Sequence, residues 1–454
     1  MALNPWLEKK LKELRSPPRL SLIVEVAPDI REQVKAKLAA ISGVSTVRQA
    51  FSFIEVTAPR EAIPLIEAVP GVVMVSYNIP KRIMQFRRFI TDPLIGRFAI
   101  DDVIVPPKRV GLDLFLPFSP LRWFRGAGPM GEVKLIPTAE SRKVIRDLDS
   151  PLTGKGVTLA VLDTGWAPQT QIARARAFSA CSTDPTPLDL HGHGSWCTSA
   201  AGGARGVGMF GRCEGVAPES NLIHIKVLHG LFGFGDEMSI LKGMELAWQE
   251  GAKVISMSLG GDLCQGGCYQ DDGGPCPECK TVKALADEGI AVVIAAGNSG
   301  PDQWTIGCPG CAPGAITVGS VSITDQPRPA YFSSRGPQNR ENEGVMEMNE
   351  RTMKPDVLAP GGGRALAESA PDEVIYSGEY GVMAGMYTGV KEPLGYGSMH
   401  GTSQATPAVA GLIACLLEGG LISGPEDFKR VCAEKGQAKD EESGWGTVKL
   451  SWFL

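Results

Sequence analysis

The sequence predicts an α/β protein, with a mostly parallel sheet flanked by helices over residues 138–454 and a small α+β module over residues 19–79. Two patterns carry this reading. From Lys155 onward, β-branched runs alternate with helical stretches, the order expected of a parallel sheet covered on both faces. From Arg19 to Tyr77 the order is strand, helix, strand, helix, strand, with apolar residues at strand and helix spacing. The 55 glycines and 34 prolines add many tight turns and places of close backbone approach.

Composition narrows the function classes. The 454 residues are 43% hydrophobic and 21% charged, with a mean hydropathy of -0.01. Those values fit a globular protein and argue against wholesale disorder or a membrane bundle. The net charge of -5 gives no basic face for phosphates, so nucleic acid is not an expected partner. No run of about 18 apolar residues suggests a membrane span. The N-terminal extension, residues 1–18, is charged and lacks the apolar stretch of a secretory signal. The expected location is therefore the cytoplasm, with leaderless export as the alternative.

In the α+β module, Leu20–Val26 is a β-rich run, and Asp29–Ala40 carries Ile30, Val34 and Leu38 at helical spacing. Phe51–Val56 is a second strand and Pro59–Ala68 a second helix, with Pro64 inside it. Val72–Tyr77 completes a split βαβ unit, a ferredoxin-like arrangement. Residues 80–137 turn to prolines, arginines and scattered aromatics without a period, which reads as a linker or belt. Beyond them, strands are expected at Val157–Leu162, Leu222–Val227, Val254–Met257, Val292–Ala295 and Ile316–Val318. Helices are expected at His193–Gly202, Ser239–Glu250, Thr281–Glu288 and Thr402–Glu418.

Three segments put reactive side chains at element ends. Val161–Gly165 is an apolar strand ending in Asp163, where parallel sheets usually place function; an Asp there is also a common turn former. Asp189–Ser195 holds two of the five histidines, His191 and His193, in a glycine-rich turn before a small-residue helix. Gly401–Pro407 places Ser403 at the start of a small-residue helix, where free amides stabilise developing negative charge. An ordinary N-cap is the plain alternative. Gly-x-Ser-x-Gly is absent.

Together the segments follow the order Asp, His, Ser, which is the subtilisin order of the Ser-His-Asp triad. The chain resembles the subtilisin-like serine proteases, the subtilases, over residues 150–450. The matching stretches include Thr153–Val157, Asp163-Thr164-Gly165, His193-Gly194-Ser195, Gly215–Pro218, Ser256–Gly261, Ala295–Asn298, Phe332–Pro337, Lys354–Gly361 and Gly401-Thr402-Ser403. The resemblance implies a subtilisin-like fold and a serine endopeptidase needing no cofactor. Ser403 would be the nucleophile, His193 the general base and Asp163 its orienting carboxylate. Asn298 would serve the oxyanion hole with the Ser403 amide. Ser258, Leu259 and Gly260 match the strand that pairs with an extended polypeptide substrate, and Gly297 and Gly307 fall at the primary specificity pocket. A glycine floor at Gly307, with Ser299 after the asparagine, implies a roomy, uncharged pocket. Residues 19–79 would be the family's propeptide, an intramolecular inhibitor of an autoprocessed zymogen, with cleavage at an open position somewhere after Tyr77; a permanent accessory domain over residues 1–150 is the alternative. A catalytically silent binding protein, or a hydrolase of other esters and amides, would be the rival readings.

The cysteines depart from the family pattern. Cys276 and Cys279 form one CxxC pair and Cys308 and Cys311 another, with Cys264 and Cys268 nearby. Two such pairs suit a structural zinc, and disulfides are the alternative. Cys181, Cys197, Cys213, Cys415 and Cys432 read as buried small hydrophobes. Calcium is left open, because Gly202–Gly215 has few oxygen-bearing side chains; Asp271, Asp272 and Asp302 read as solvated turns.

Overall fold

The computed structural model describes residues 2–4, 7–8, 11, 19–83, 87–92, 96–99, 133–146, 150–208, 211–261, 274, 276–322, 328–336, 353–363, 379–385 and 395–454. Seven parallel strands form the main sheet: β1 (Thr158–Asp163), β2 (Arg176–Ser179), β3 (Asn221–Lys226), β4 (Val254–Met257), β5 (Ala291–Ala295), β6 (Ile316–Val321) and β7 (Val357–Pro360). Their order is β2-β3-β1-β4-β5-β6-β7. Burial on both faces explains the continuous apolar runs in β4 and β5. After β3 is added on one side of β1, β4 is added on the other, so the strand order reverses around β1. Asp163 ends that strand, at the crevice where such sheets hold their sites.

Five helices matter for the site: α1 (His193–Gly202), α2 (Glu237–Gln249), α3 (Pro277–Asp287), α4 (Thr402–Glu418) and α5 (Pro425–Lys435). One core cluster joins α1, α4 and α5 to one face of the sheet, through Trp196, Val409, Leu412, Ile413, Leu416 and Phe428. The other face is covered by α2 and α3. Each fully buried Leu or Ile there stabilises the fold by about 1.5–3 kcal/mol relative to exposure. α2 begins where the Asp236 side chain accepts from the Ser239 amide at 2.8 Å, a cap typical of Asp.

The N-terminal module is an antiparallel sheet in the order Val72–Tyr77, Leu20–Val26, Phe53–Ala58, Ser45–Ala50, with Ala2–Leu3 parallel on its outer edge. The strand Ser45–Ala50 escapes a sequence reading because it is a largely uncovered edge with no apolar period. Pro64 lies at the start of its helix, Ile63–Glu67, where a missing N–H costs nothing. Strand alternation sends Leu22, Val24 and Val26 to the module's own core with Val34, Leu38 and Ile66. Ile23, on the opposite face, joins Ala50 and Phe53 in the cluster shared with α2 and α3. Polar contacts fasten the same face. Arg48 donates to Ser239 and Asp236, both at 2.7 Å, the Phe51 amide to Glu245 at 2.8 Å, and Lys280 pairs with Glu25 at 2.8 Å.

Residues 80–137, which the sequence suggests as a linker or belt, contribute four strands among the described residues. Pro80–Ile83 lies between Phe234–Asp236 and Leu259–Gly260, antiparallel to both. Arg87–Asp92 pairs with Gly96–Ala99 and with Tyr396–His400, and Val133–Pro137 pairs with Glu379–Gly385. Three of them pair with strands of the large domain, and Gly96–Ala99 pairs with Arg87–Asp92. Among the described residues no helix is long and apolar enough to cross a membrane.

Candidate active site

Asp163 and His193 meet at the sheet's C-terminal edge. His193 Nδ1 is 2.7 Å from Asp163 Oδ1, and both side chains are fully buried. His193 opens α1, and the turn before it is organised by Asp189. That carboxylate accepts from the amides of His191, Gly192 and Ser195 at 2.8–3.0 Å and from the Ser195 hydroxyl at 2.6 Å. Burial pushes its pKa up, against the pull of these donors. Gly192 holds φ at 91°, a left-handed value that favours glycine and lets the chain swing into α1.

Ser403 is the second residue of α4. Its hydroxyl donates to the Ser258 carbonyl at 3.0 Å, while the Ser258 hydroxyl donates to the Ser403 carbonyl at 2.8 Å. His193 Nε2 has no hydrogen-bond partner among the described residues. The Cys197 sulfur lies 3.8 Å from His193 Nδ1 and 3.7 Å from the Ser403 carbonyl, so it packs against the Nδ1 edge of the imidazole and the backbone of α4. Asp163, His193 and Cys197 thus offer three ligand-type atoms close together. Burial, and then Asp163, pushes the Cys197 thiol well up, which keeps it neutral and a poor metal ligand.

Asn298 follows β5. Its Oδ1 accepts from both the amide and the hydroxyl of Thr402 at 2.9 Å, and the Thr402 hydroxyl in turn accepts from the Gly297 amide at 3.2 Å. Holding the oxygen in this way turns the NH2 end of Asn298 away from Thr402. Gly297 has φ of 117°, and a Cβ there would lie 2.7 Å from Ser334 Oγ. Gly307 donates to the Ala296 carbonyl at 2.8 Å, and its neighbour Cys308 exchanges both backbone bonds with Gly261 at 2.9 Å. Hydrogen bonds thus tie the Ser258–Gly261 segment to Cys308 and to the start of α4, and Gly297 to Thr402, while Gly307 is held on Ala296.

The family model described as the subtilase family matches residues 154–446. The chain belongs to the subtilase family. It is 35% identical over 309 residues to serine protease AprX of Bacillus subtilis, covering 64% of each chain. It is 34% identical over 248 residues to pyrolysin of Pyrococcus furiosus, covering 48% of this chain and 15% of that one. The chain therefore spans less than two thirds of the length of these relatives. Among solved structures, fervidolysin of Fervidobacterium pennivorans, described as a keratinolytic enzyme related to subtilisin, superposes with a TM-score of 0.61 at 17% identity. That likeness covers 96% of this chain and 61% of the other, and shows a shared subtilisin-like fold.

The cysteine pairs of this subtilase do converge. Cys276 Sγ is 3.7 Å and Cys279 Sγ 3.8 Å from Cys308 Sγ, all three buried. Cys311 accepts from the thiols of Cys279 and Cys308, which hold its own pKa down at about 5. Such separations far exceed a disulfide bond of about 2.05 Å. They match the edge of a tetrahedron of sulfurs around zinc, about 3.8 Å for Zn–S bonds of about 2.3 Å. Cys264, Cys268, Asp271 and Asp272 lie outside the described residues, and Asp302 is an exposed turn residue.

Residues that sequence reasoning left without a role complete the site. His224, on β3, accepts from the Gly165 amide at 3.1 Å and pairs with Thr198 at 2.7 Å, bracing the turn after Asp163. Thr164 accepts from the Gly194 amide at 2.8 Å and donates to Asp189 at 3.0 Å. Their only sequence signal is polarity within apolar strands and helices.

Proposed function

We propose that the chain is a serine endopeptidase whose N-terminal module inhibits it until self-cleavage. The observation that carries this reading is the pairing of Pro80–Ile83 with Leu259–Gly260, an extended peptide lying antiparallel beside Ser403. A polypeptide in that register presents its carbonyl to Ser403. Rotation about one bond takes the Ser403 hydroxyl from Ser258 toward His193 Nε2, which accepts the proton as the oxygen attacks. Asp163 fixes the imidazole tautomer and stabilises its cation. The Asn298 amide and the Ser403 N–H, at the start of α4, receive the oxyanion, and His193 returns the proton to the leaving amine. Water repeats the sequence on the acyl-enzyme.

Strands Pro80–Ile83 and Arg87–Asp92 bracket the nucleophile, so self-cleavage falls between Ile83 and Arg87. Intact mass of wild type and Ser403→Ala tests the whole reading. Wild type should separate into two fragments at that segment and hydrolyse peptides, while the variant stays whole and inactive. A variant that still processed itself would overturn the nucleophile assignment.

The sulfur geometry supports a structural zinc on Cys276, Cys279, Cys308 and Cys311, pinning the start of α3 to the loop after Gly307. Metal analysis of the purified chain should find one zinc, lost in Cys308→Ser. Stoichiometric disulfides in its place would favour the alternative.

A further inference from the structure

We propose that the buried recess formed by Glu278, Glu237 and Cys308 is a subsite selecting a lysine side chain at the fourth residue on the N-terminal side of the scissile bond. The inference rests on the endopeptidase reading above. Register fixes the position. Arg82 lies opposite Gly260 and Ile83 opposite Leu259, so the next residue of a strand in this register stands opposite Ser258, whose carbonyl touches Ser403. Lys81 is three residues before that place.

The recess is built for an ammonium group. Lys81 Nζ lies 2.6 Å from Glu278 Oε2, 3.5 Å from the Cys308 carbonyl and 3.7 Å from the Cys308 sulfur. The two charged side chains are 1% and 0% exposed. Glu237, also fully buried, lies behind them, with Cys276 Sγ 3.9 Å from its Oε1 and 3.7 Å from the Cys308 sulfur. Glu278 Oε1 has no hydrogen-bond partner among the described residues, which leaves acceptor capacity on this carboxyl.

Lys81 is separated from Glu278 by 197 residues and belongs to the strand that occupies the cleft, whereas the carboxylates belong to the large domain. When that strand leaves, Glu278 remains as a buried acceptor without its cation. A leucine placed against it leaves a buried carboxyl without a donor, and a glutamate brings a second acid into the same recess; a lysine restores the observed pair. A charge-assisted hydrogen bond in such a site corresponds to about tenfold or more in selectivity.

The experiment uses the full chain and three fluorogenic peptides identical except for Lys, Leu or Glu at that fourth position. Competition from the chain's own strand scales all rates alike and leaves their ratios intact. The Lys peptide should show kcat/KM at least about tenfold above the Leu peptide, with the Glu peptide slowest. Glu278→Gln should collapse the Lys:Leu ratio toward one. Equal wild-type rates, or a ratio that persists in Glu278→Gln, would overturn the subsite while leaving the protease reading in place. If no peptide is cut, the endopeptidase reading fails, and fluorescence anisotropy of the same peptides on Ser403→Ala carrying Lys81→Glu, whose own strand no longer suits the recess, decides the subsite. Tighter binding of the Lys peptide supports it and equal binding overturns it.

Discussion

The Ser258 hydroxyl donates at 2.8 Å to the Ser403 carbonyl, the one carbonyl of α4 that Pro407 leaves without its helical N–H. A proline four residues on removes the i→i−4 donor and ordinarily breaks a helix. Here the gap is filled from outside, by Ser258 and by the Cys197 thiol. The Ser258–Gly260 segment and the start of α4 are thereby joined at Ser403.

Removing that link should be measurable. Ser258→Ala leaves a buried carbonyl with only a weak thiol donor, a loss of about 1–3 kcal/mol. Urea unfolding should show that destabilisation, and kcat for a peptide substrate should fall about tenfold as α4 loses its anchor. An unchanged midpoint and unchanged kcat would mean that the bond is not supporting the site.

Asn298→Ala should reduce kcat by about 10²–10³ with little change in KM, the signature of a donor used only in the transition state. Thr402→Val, which removes one of the two donors to the Asn298 oxygen and keeps the backbone one, should cost less, about tenfold, and Thr402→Ser should restore most of it. Steady-state kinetics on one peptide separates the three variants.

His224 carries a pH signature. Burial pushes its pKa down to about 4, against the pull of Asp163. The unfolded chain therefore takes up this proton first, near pH 6.5, and the folded protein loses stability as pH falls from about 6.5 to 4. The loss attributable to this residue is about 3 kcal/mol. Urea unfolding across that range should show the slope, and His224→Gln should flatten it.

Asp356 should dominate the acid limb. It accepts from Lys354 at 2.6 Å, Lys439 at 2.8 Å and the Thr317 amide at 2.8 Å. Burial raises its pKa, but the lysines outweigh this and hold it well below the usual carboxylate range. Its stabilisation is present above the unfolded value near pH 4 and fades as pH falls further. Asp356→Asn leaves Lys354 buried without its partner and should cost about 3–5 kcal/mol at pH 7. The gap to wild type should narrow below about pH 4, as read by unfolding midpoints.

Much of this was legible in the sequence because continuous apolar runs and small-residue helices leave little ambiguity. β4 and the helices α1 and α4 fall where periodicity places them, and Asp163, His193, Asn298 and Ser403 come together at one edge of the sheet. The strands β2 and Ser45–Ala50 were illegible because both are partly uncovered edges without an apolar period, and the partner of β2 lies far along the chain. Lys81 gave no signal either. A lone lysine in a proline- and arginine-rich stretch looks solvated until the fold brings it against Glu278. The cysteine pairs announced a shared site, but only the fold puts Cys308 at near-equal distance from Cys276 and Cys279.

The two strands that bracket Ser403 are held by different sheets, Pro80–Ile83 by Phe234–Asp236 and Leu259–Gly260, and Arg87–Asp92 by Tyr396–His400. On the proposed self-cleavage, a cut between them would nick the backbone without freeing either end. The new C-terminus would stay in place, tethered by Arg48, Phe51 and Lys280 through the module behind it. Cleavage and release would then be separate events. The delay between them would be a dissociation time, set by the module's interface and indifferent to how fast Ser403 reacts.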